Sequence, residues 1–156
     1  MDADFACGIS QEDSHNTENV MSYMGYVITY IWCILLWYSK LQTEVYLSTI
    51  EAEYIALRQA MRNIITFMAL MKEISYIIDI HLPNPEVFCN VFEDNQSCIA
   101  VAESNTFFQE QKIASKYHHS LRFVQNKIIQ ICYIDTREQA SDIFTKPFDK
   151  TLFIYL

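Results

Sequence analysis

The chain has 156 residues, enough for one well-cored domain and too few for two comfortable ones. Hydrophobic residues make up 51% of it, which excludes a disordered chain. The formal net charge of −8 argues against a simple basic nucleic-acid binder, but it leaves room for a metal-dependent nuclease whose acid cluster is offset by bound cations.

In chain order, "MDADFACG" is acidic and polar, so no signal peptide is read, and a first strand begins abruptly with no room before Asp2. Residues 8–21 are polar and read as a loop. "GYVITYIWCILLWYSK", 25–40, gives one or two strands rich in β-branched and aromatic residues. Its most apolar part, 26–38, falls short of the roughly 20 residues that span a bilayer, and Gly25 and Ser39 bound it as a buried hairpin would be bounded.

A long helix is expected from 48 to about 76, because Ile50, Leu57, Met61, Ile64, Met68 and Met71 recur at helical spacing. Ser48 and Glu51 open it as a capping box. A connection punctuated by Pro83 and Pro85 leads to a strand over 86–94 and a helix over 95–104. Further on come a helix over 114–128, a strand over 128–134, and a last helix opened by Thr136 and Gln139 and stopped at Pro147. Five scattered cysteines (Cys7, Cys33, Cys89, Cys98, Cys132) with no C-x-x-C favour reduced thiols in an intracellular protein, cytoplasmic or nuclear, with disulfides or a zinc site disfavoured, and the short apolar run argues against a membrane partner. This order suggests an α/β domain, a mixed sheet with helices packed on it, over residues 1–150, and a short tail over 151–156.

Within that frame the stretch "LSTIEAEYIAL", 47–57, is anomalous. Glu53 lies on the apolar stripe, three residues after Ile50 and four before Leu57, whereas Glu51 lies to the side with a capping role. A carboxylate at a buried face needs a cation, a donor or a metal. Asp2 near the first strand, Asp94 at a strand end and Asp142 in the last helix complete a set of four acids that α/β topology can gather. Oxygen-only ligation suits Mg²⁺ or Mn²⁺, and two such ions about 4 Å apart would clamp the attacking and leaving oxygens of a phosphodiester.

"LQTEVYLSTIEAEYIAL", "VFEDNQSCIAVAES", "KIASKYHHSLRF" and "DTREQASDIFTKP" resemble, in order and spacing, the ribonuclease H segment at the end of copia-type retrotransposon polyproteins. "STIEAEY" and "SDIFTKP" are the most specific words, and the likeness covers roughly residues 2–150. The resemblance implies a ribonuclease H-like fold, a five-stranded mixed sheet flanked by helices, here with a truncated first strand. It also implies two-metal hydrolysis of RNA in RNA–DNA hybrids, with a reverse transcriptase part in the same polyprotein. The family's catalytic, metal-binding acids match Asp2, Glu53, Asp94 and Asp142.

Other residues have alternative readings. Asp4 competes with Asp2; Glu93 reads as a solvated or strand-edge acid; Asn95 and Gln96 read as helix caps. His118 and His119 read as a packing or surface pair, and Lys112 stands where the family usually has His. Lys40, Lys116, Arg122 and Lys146 are candidates for phosphate contact but read first as solvated surface cations, and Trp32 and Trp37 read as core rather than as a base-stacking platform. A second reading of the whole is a catalytically inactive, degenerate remnant. It is motivated by the short first strand and by "TYIWCI", 29–34, where the family has a glycine-rich turn. A third, an integrase-like nuclease, expects Glu where Asp142 stands.

Overall fold

Alternating β-branched and aromatic residues put 23–41 into a hairpin, β2 (Tyr23–Tyr30) and β3 (Cys33–Leu41), and a three-residue strand β1 (Asp2–Asp4) pairs antiparallel with β2. The computed structural model describes residues 1–4, 21–43, 45, 48–80, 87–104, 118–147 and 150–155. The long helix α1 (Thr49–Ile77) is capped by Ser48, whose hydroxyl accepts from the Glu51 N–H at 3.2 Å. Leu57, Met61, Ile64 and Met68 of the expected stripe are buried, while Ile50 and Met71 are half-buried at its margins. Then follow β4 (Cys89–Glu93), α2 (Gln96–Glu103), α3 (His118–Gln125), β5 (Ile129–Tyr133), two 3₁₀ turns (Thr136–Glu138 and Ala140–Phe144) and α4 (Lys150–Tyr155), a short helix where a tail was expected.

The five strands form two ladders, antiparallel β1–β2–β3 and parallel β4–β5. The Met1 nitrogen donates to the Phe92 carbonyl at 2.8 Å, so the order across the molecule is β3-β2-β1-β4-β5, antiparallel on one side and parallel on the other. The registered ladder breaks at β1, which spans three residues against eight in β2. Alongside Met1, between β2 and β4, lies a cavity of about 230 Å³ lined by Tyr26, Ile28, Ala60, Ile64 and Val91. The core lies between this sheet and α1, with Tyr26, Ala56, Leu57, Met61, Ile129 and Ile131 at its centre.

Three expectations need correction. The last helix is instead two 3₁₀ turns. Asp135, not Thr136, caps the first by accepting from the Arg137 N–H, and Gln139 is extended between the two (φ −76°, ψ 91°). The Gln139 side chain is drawn inward: its amide donates to the Met1 carbonyl at 2.9 Å and accepts from the Ser141 hydroxyl at 2.8 Å. Tertiary hydrogen bonds thus outbid the local capping box. The helix expected to reach Ile128 ends at Gln125, because Lys127 turns left-handed (φ 56°) to enter β5; its expected start at 114–117 lies outside the described residues. Trp32 and Trp37 are not core: Trp32 is 99% exposed on the hairpin tip and Trp37 exposed on edge strand β3.

The hairpin loop and Gly25 place steric demands on the sequence. Ile31 and Trp32 form the two-residue hairpin loop with φ of 50° and 65°, as a type I′ turn demands, although neither is a residue suited to it. At Gly25 a Cβ would meet Phe144 Cβ and Thr145 Cγ2 at 2.8 Å, so the second 3₁₀ turn sits directly on the β2 backbone. Replacing Ile31-Trp32 by Asn-Gly is therefore expected to stabilise the fold by roughly 1–3 kcal/mol, read from urea denaturation midpoints. Gly25→Ala should lower stability by about 1–3 kcal/mol in the same measurement; an unchanged midpoint would contradict the close approach.

Candidate metal centre

The second 3₁₀ turn, the end of β4 and the start of α1 meet beside β1. Asp2 comes from β1, Glu53 from the second turn of α1, Asp94 from the residue after β4, and Asp142 from the second 3₁₀ turn. Oxygens of Asp2, Asp94 and Asp142 lie within 4.8 Å of one another, and so do oxygens of Glu53, Glu93 and Asp94. Asp94 belongs to both groups, so the four acids singled out from the sequence share one cleft. Asp4 is in neither.

Asp2, Glu53 and Asp142 are held by their surroundings. Asp2, 1% exposed, accepts from the Thr145 hydroxyl on one oxygen and from Lys146 Nζ at 3.3 Å on the other. Lys146 also donates to Asp142 Oδ2 at 3.2 Å, four residues back along the chain. This corrects the reading of Lys146 as a solvated cation: its ammonium bridges two buried carboxylates, which hold its pKa up at about 12 against the opposing effect of burial. Glu53 Oε2 accepts from the Ala3 N–H at 2.8 Å, which docks the helix acid onto β1. The expectation that Asn95 caps a helix holds, since its side chain accepts from the Ser97 and Cys98 N–H groups. The side chains of His118 and His119, and the whole of Lys112 and Lys116, lie outside the described residues. Lys40 and Arg122 are exposed.

Glu93 was expected in solvent and is 0% exposed. Strand alternation gives the reason: Val91 faces inward, so Glu93 does too, while Phe92 between them faces out. The residue was legible in "CNVFE" had the pleat been weighed against the charge.

Burial drives the electrostatics. Desolvation, then the charges of Glu93, Asp2 and Asp94, push the Glu53 carboxyl up to about 10. Desolvation pushes Glu93 up to about 8, against the pull of the Met1 amino group and the Asn95 N–H. Desolvation and the Asp2 charge raise Asp142 to about 6, against the pull of Lys146. These carboxylates could be balanced by protons or could hold a cation, and as an all-oxygen donor set they suit Mg²⁺ or Mn²⁺. Two further observations fit such an ion: Glu93 Oε2 and Asp142 Oδ1 are buried with no hydrogen-bond partner among the described residues.

No family model matches the chain, and no solved structure matches it. The chain is 30% identical over 137 residues to the retrovirus-related Pol polyprotein from transposon TNT 1-94 of Nicotiana tabacum, covering 87% of this chain and 10% of that protein. It is 28% identical over 153 residues to the one from transposon RE1 of Arabidopsis thaliana, covering 97% of this chain and 9% of that protein. Against the one from transposon RE2 of the same plant it is 27% identical over 139 residues, covering 88% and 9%. The chain thus spans about a tenth of the length of the curated relatives it matches, and they support an origin in a retroelement polyprotein. Among the described residues no helix is long and apolar enough to cross a membrane.

The raised carboxyls set a sign for the pH dependence. Glu53, Glu93 and Asp142 each hold a proton to higher pH in the fold than in the unfolded chain, where they titrate near about 4. The folded state therefore binds more protons, and stability falls as pH rises from that value through the folded ones. The Met1 amino group, made less basic by burial, opposes this by at most one proton. Without divalent ions the melting temperature is expected to be higher at about pH 5 than at about pH 8, and saturating Mn²⁺ to shrink the difference. Thermal melts in EDTA and in Mn²⁺ check it; a metal-free melting temperature that climbs over this interval contradicts the charge balance described.

Proposed function

We propose that this chain is the ribonuclease H segment of a retroelement polyprotein, a metal-dependent endonuclease that hydrolyses the RNA strand of RNA–DNA hybrids. The observation that carries this reading is the sharing of Asp94 between two carboxylate groups that together include Asp2, Glu53 and Asp142. The substrate class rests on the "STIEAEY" and "SDIFTKP" words and on the Pol polyprotein relatives.

Asp2, Glu53, Asp94 and Asp142 are the residues to hold two Mg²⁺ or Mn²⁺ ions. When bound, such ions supply a water deprotonated near neutral pH and neutralise charge on the leaving oxygen. The chain's own part is positional. Asp2 is fixed by Thr145 and Lys146, and Glu53 by the Ala3 N–H, so both acids keep their orientation as a polyanion approaches. Lys146 adds a fixed positive charge between Asp2 and Asp142 at the rim of the same cleft. The net charge of −8 makes the chain repel a nucleic acid unless cations intervene, which ties binding as well as chemistry to the metal.

The test is cleavage of an end-labelled RNA–DNA hybrid in Mg²⁺ or Mn²⁺, beside RNA and DNA duplexes, by wild type and Asp94→Asn. Wild type is expected to cut the RNA of the hybrid. The variant is expected to lose more than about 100-fold in rate, since even outer-shell partners of metal ligands are worth about 10–100-fold. Equal cutting by both proteins, or none by a folded wild type, overturns the proposal; the second result favours a degenerate remnant.

A further inference from the structure

The quartet taken from the sequence leaves one buried acid of the cleft without a role. Glu93 lies at the end of β4, fully enclosed, next to Asp94. Its Oε1 accepts from the Asn95 N–H at 3.1 Å, which fixes the carboxylate plane at the start of α2. Its Oε2 has no hydrogen-bond partner among the described residues. The Met1 amino group is a counter-charge to it, but the hydrogen bonds of that group go to the Phe92 carbonyl and the Gln139 amide oxygen. Lys146 is engaged with Asp2 and Asp142, in the other carboxylate group.

A passive buried acid should have its acceptors satisfied. Glu93 instead offers an oxygen within 4.8 Å of oxygens from Glu53 and Asp94. Glu53 is anchored in a like manner, one oxygen tied to a backbone N–H of β1. Two glutamates, each with one oxygen pinned by backbone, and an aspartate shared with the neighbouring group make a preorganised oxygen-only site for a hard divalent cation.

We propose that Glu93 is a metal ligand, completing with Glu53 and Asp94 one cation site of the cleft, while Asp2, Asp94 and Asp142 form the other. The inference rests on the metal-dependent reading above and adds a fifth carboxylate to it. Asp94 then bridges the two sites, and each ion has three carboxylates of its own or shared.

Calorimetric titration with Mn²⁺ of the wild type, Glu93→Gln and Asp142→Asn tests this apart from any activity. Gln keeps the shape of a protonated Glu93 and its bond from Asn95, so a passive acid would be replaced without consequence. The wild type is expected to take up two ions. Glu93→Gln should weaken one of them by at least about tenfold and leave the other, and Asp142→Asn should weaken the one that Glu93→Gln leaves. If the wild type holds a single ion, a tenfold loss in Glu93→Gln still upholds the assignment. Wild-type affinity in a Glu93→Gln protein that binds Mn²⁺ overturns this inference alone, and a folded wild type that binds no Mn²⁺ overturns the metal-dependent reading with it. Glu93→Asp, which keeps the charge and shortens the reach, serves if Glu93→Gln does not fold, and is expected to bind with lowered affinity; unchanged affinity there also overturns the assignment.

Discussion

Five carboxylates converge where β1, the end of β4 and the N-terminal part of α1 meet, and four of them are buried. Dehydrated acids in mutual contact are costly unless protons or cations compensate them. Lys146 is paired with two of them, and burial, ahead of the neighbouring charges, raises Glu53 and Glu93. Under the metal-dependent proposal, the cleft is a cation site kept at some cost to the stability of the fold. The hydrogen bonds from Ala3, Asn95, Thr145 and Lys146 hold the acids against their repulsion.

The same junction ties the sheet together. The antiparallel and parallel ladders touch through Met1 and Phe92, and Gln139 clamps the 3₁₀ segment onto Met1. Gly25 lets that segment lie flush on β2, which places Thr145 and Lys146 within reach of Asp2. The acid cleft and the joining of the two ladders therefore depend on one set of contacts. The hairpin tip is a separate case: Ile31 and Trp32 adopt left-handed backbone and belong to neither carboxylate group.

Much of this was readable in the chain. The helical stripe of Ile50, Leu57 and Met61 singled out Glu53 rather than Glu51, because a period of 3.6 residues assigns a face without reference to the rest of the fold. Asp2, Asp94 and Asp142 were found through shared words, since no local periodicity marks an acid 41 or more residues from the others of the quartet. Glu93 was missed because its charge was weighed above the pleat of "CNVFE". Lys146 had a signal in its four-residue spacing from Asp142. The two tryptophans were misplaced for a different reason: an apolar run cannot show whether its strand lies inside the sheet or, like β3, at its edge. The helix drawn through Gln139 failed because that side chain bonds to Met1, 138 residues away in sequence, which no local rule sees.

The central claim is that divalent ions, rather than protons alone, balance these acids around Asp94. Anomalous diffraction from crystals grown in Mn²⁺ tests it most directly. The account predicts metal peaks within about 2.0–2.2 Å of Asp94 oxygens, flanked by Glu53 on one side and Asp2 on the other. Well-diffracting crystals in which Asp94 has no metal neighbour, with the cleft closed by Lys146 and protonated glutamates, would contradict it.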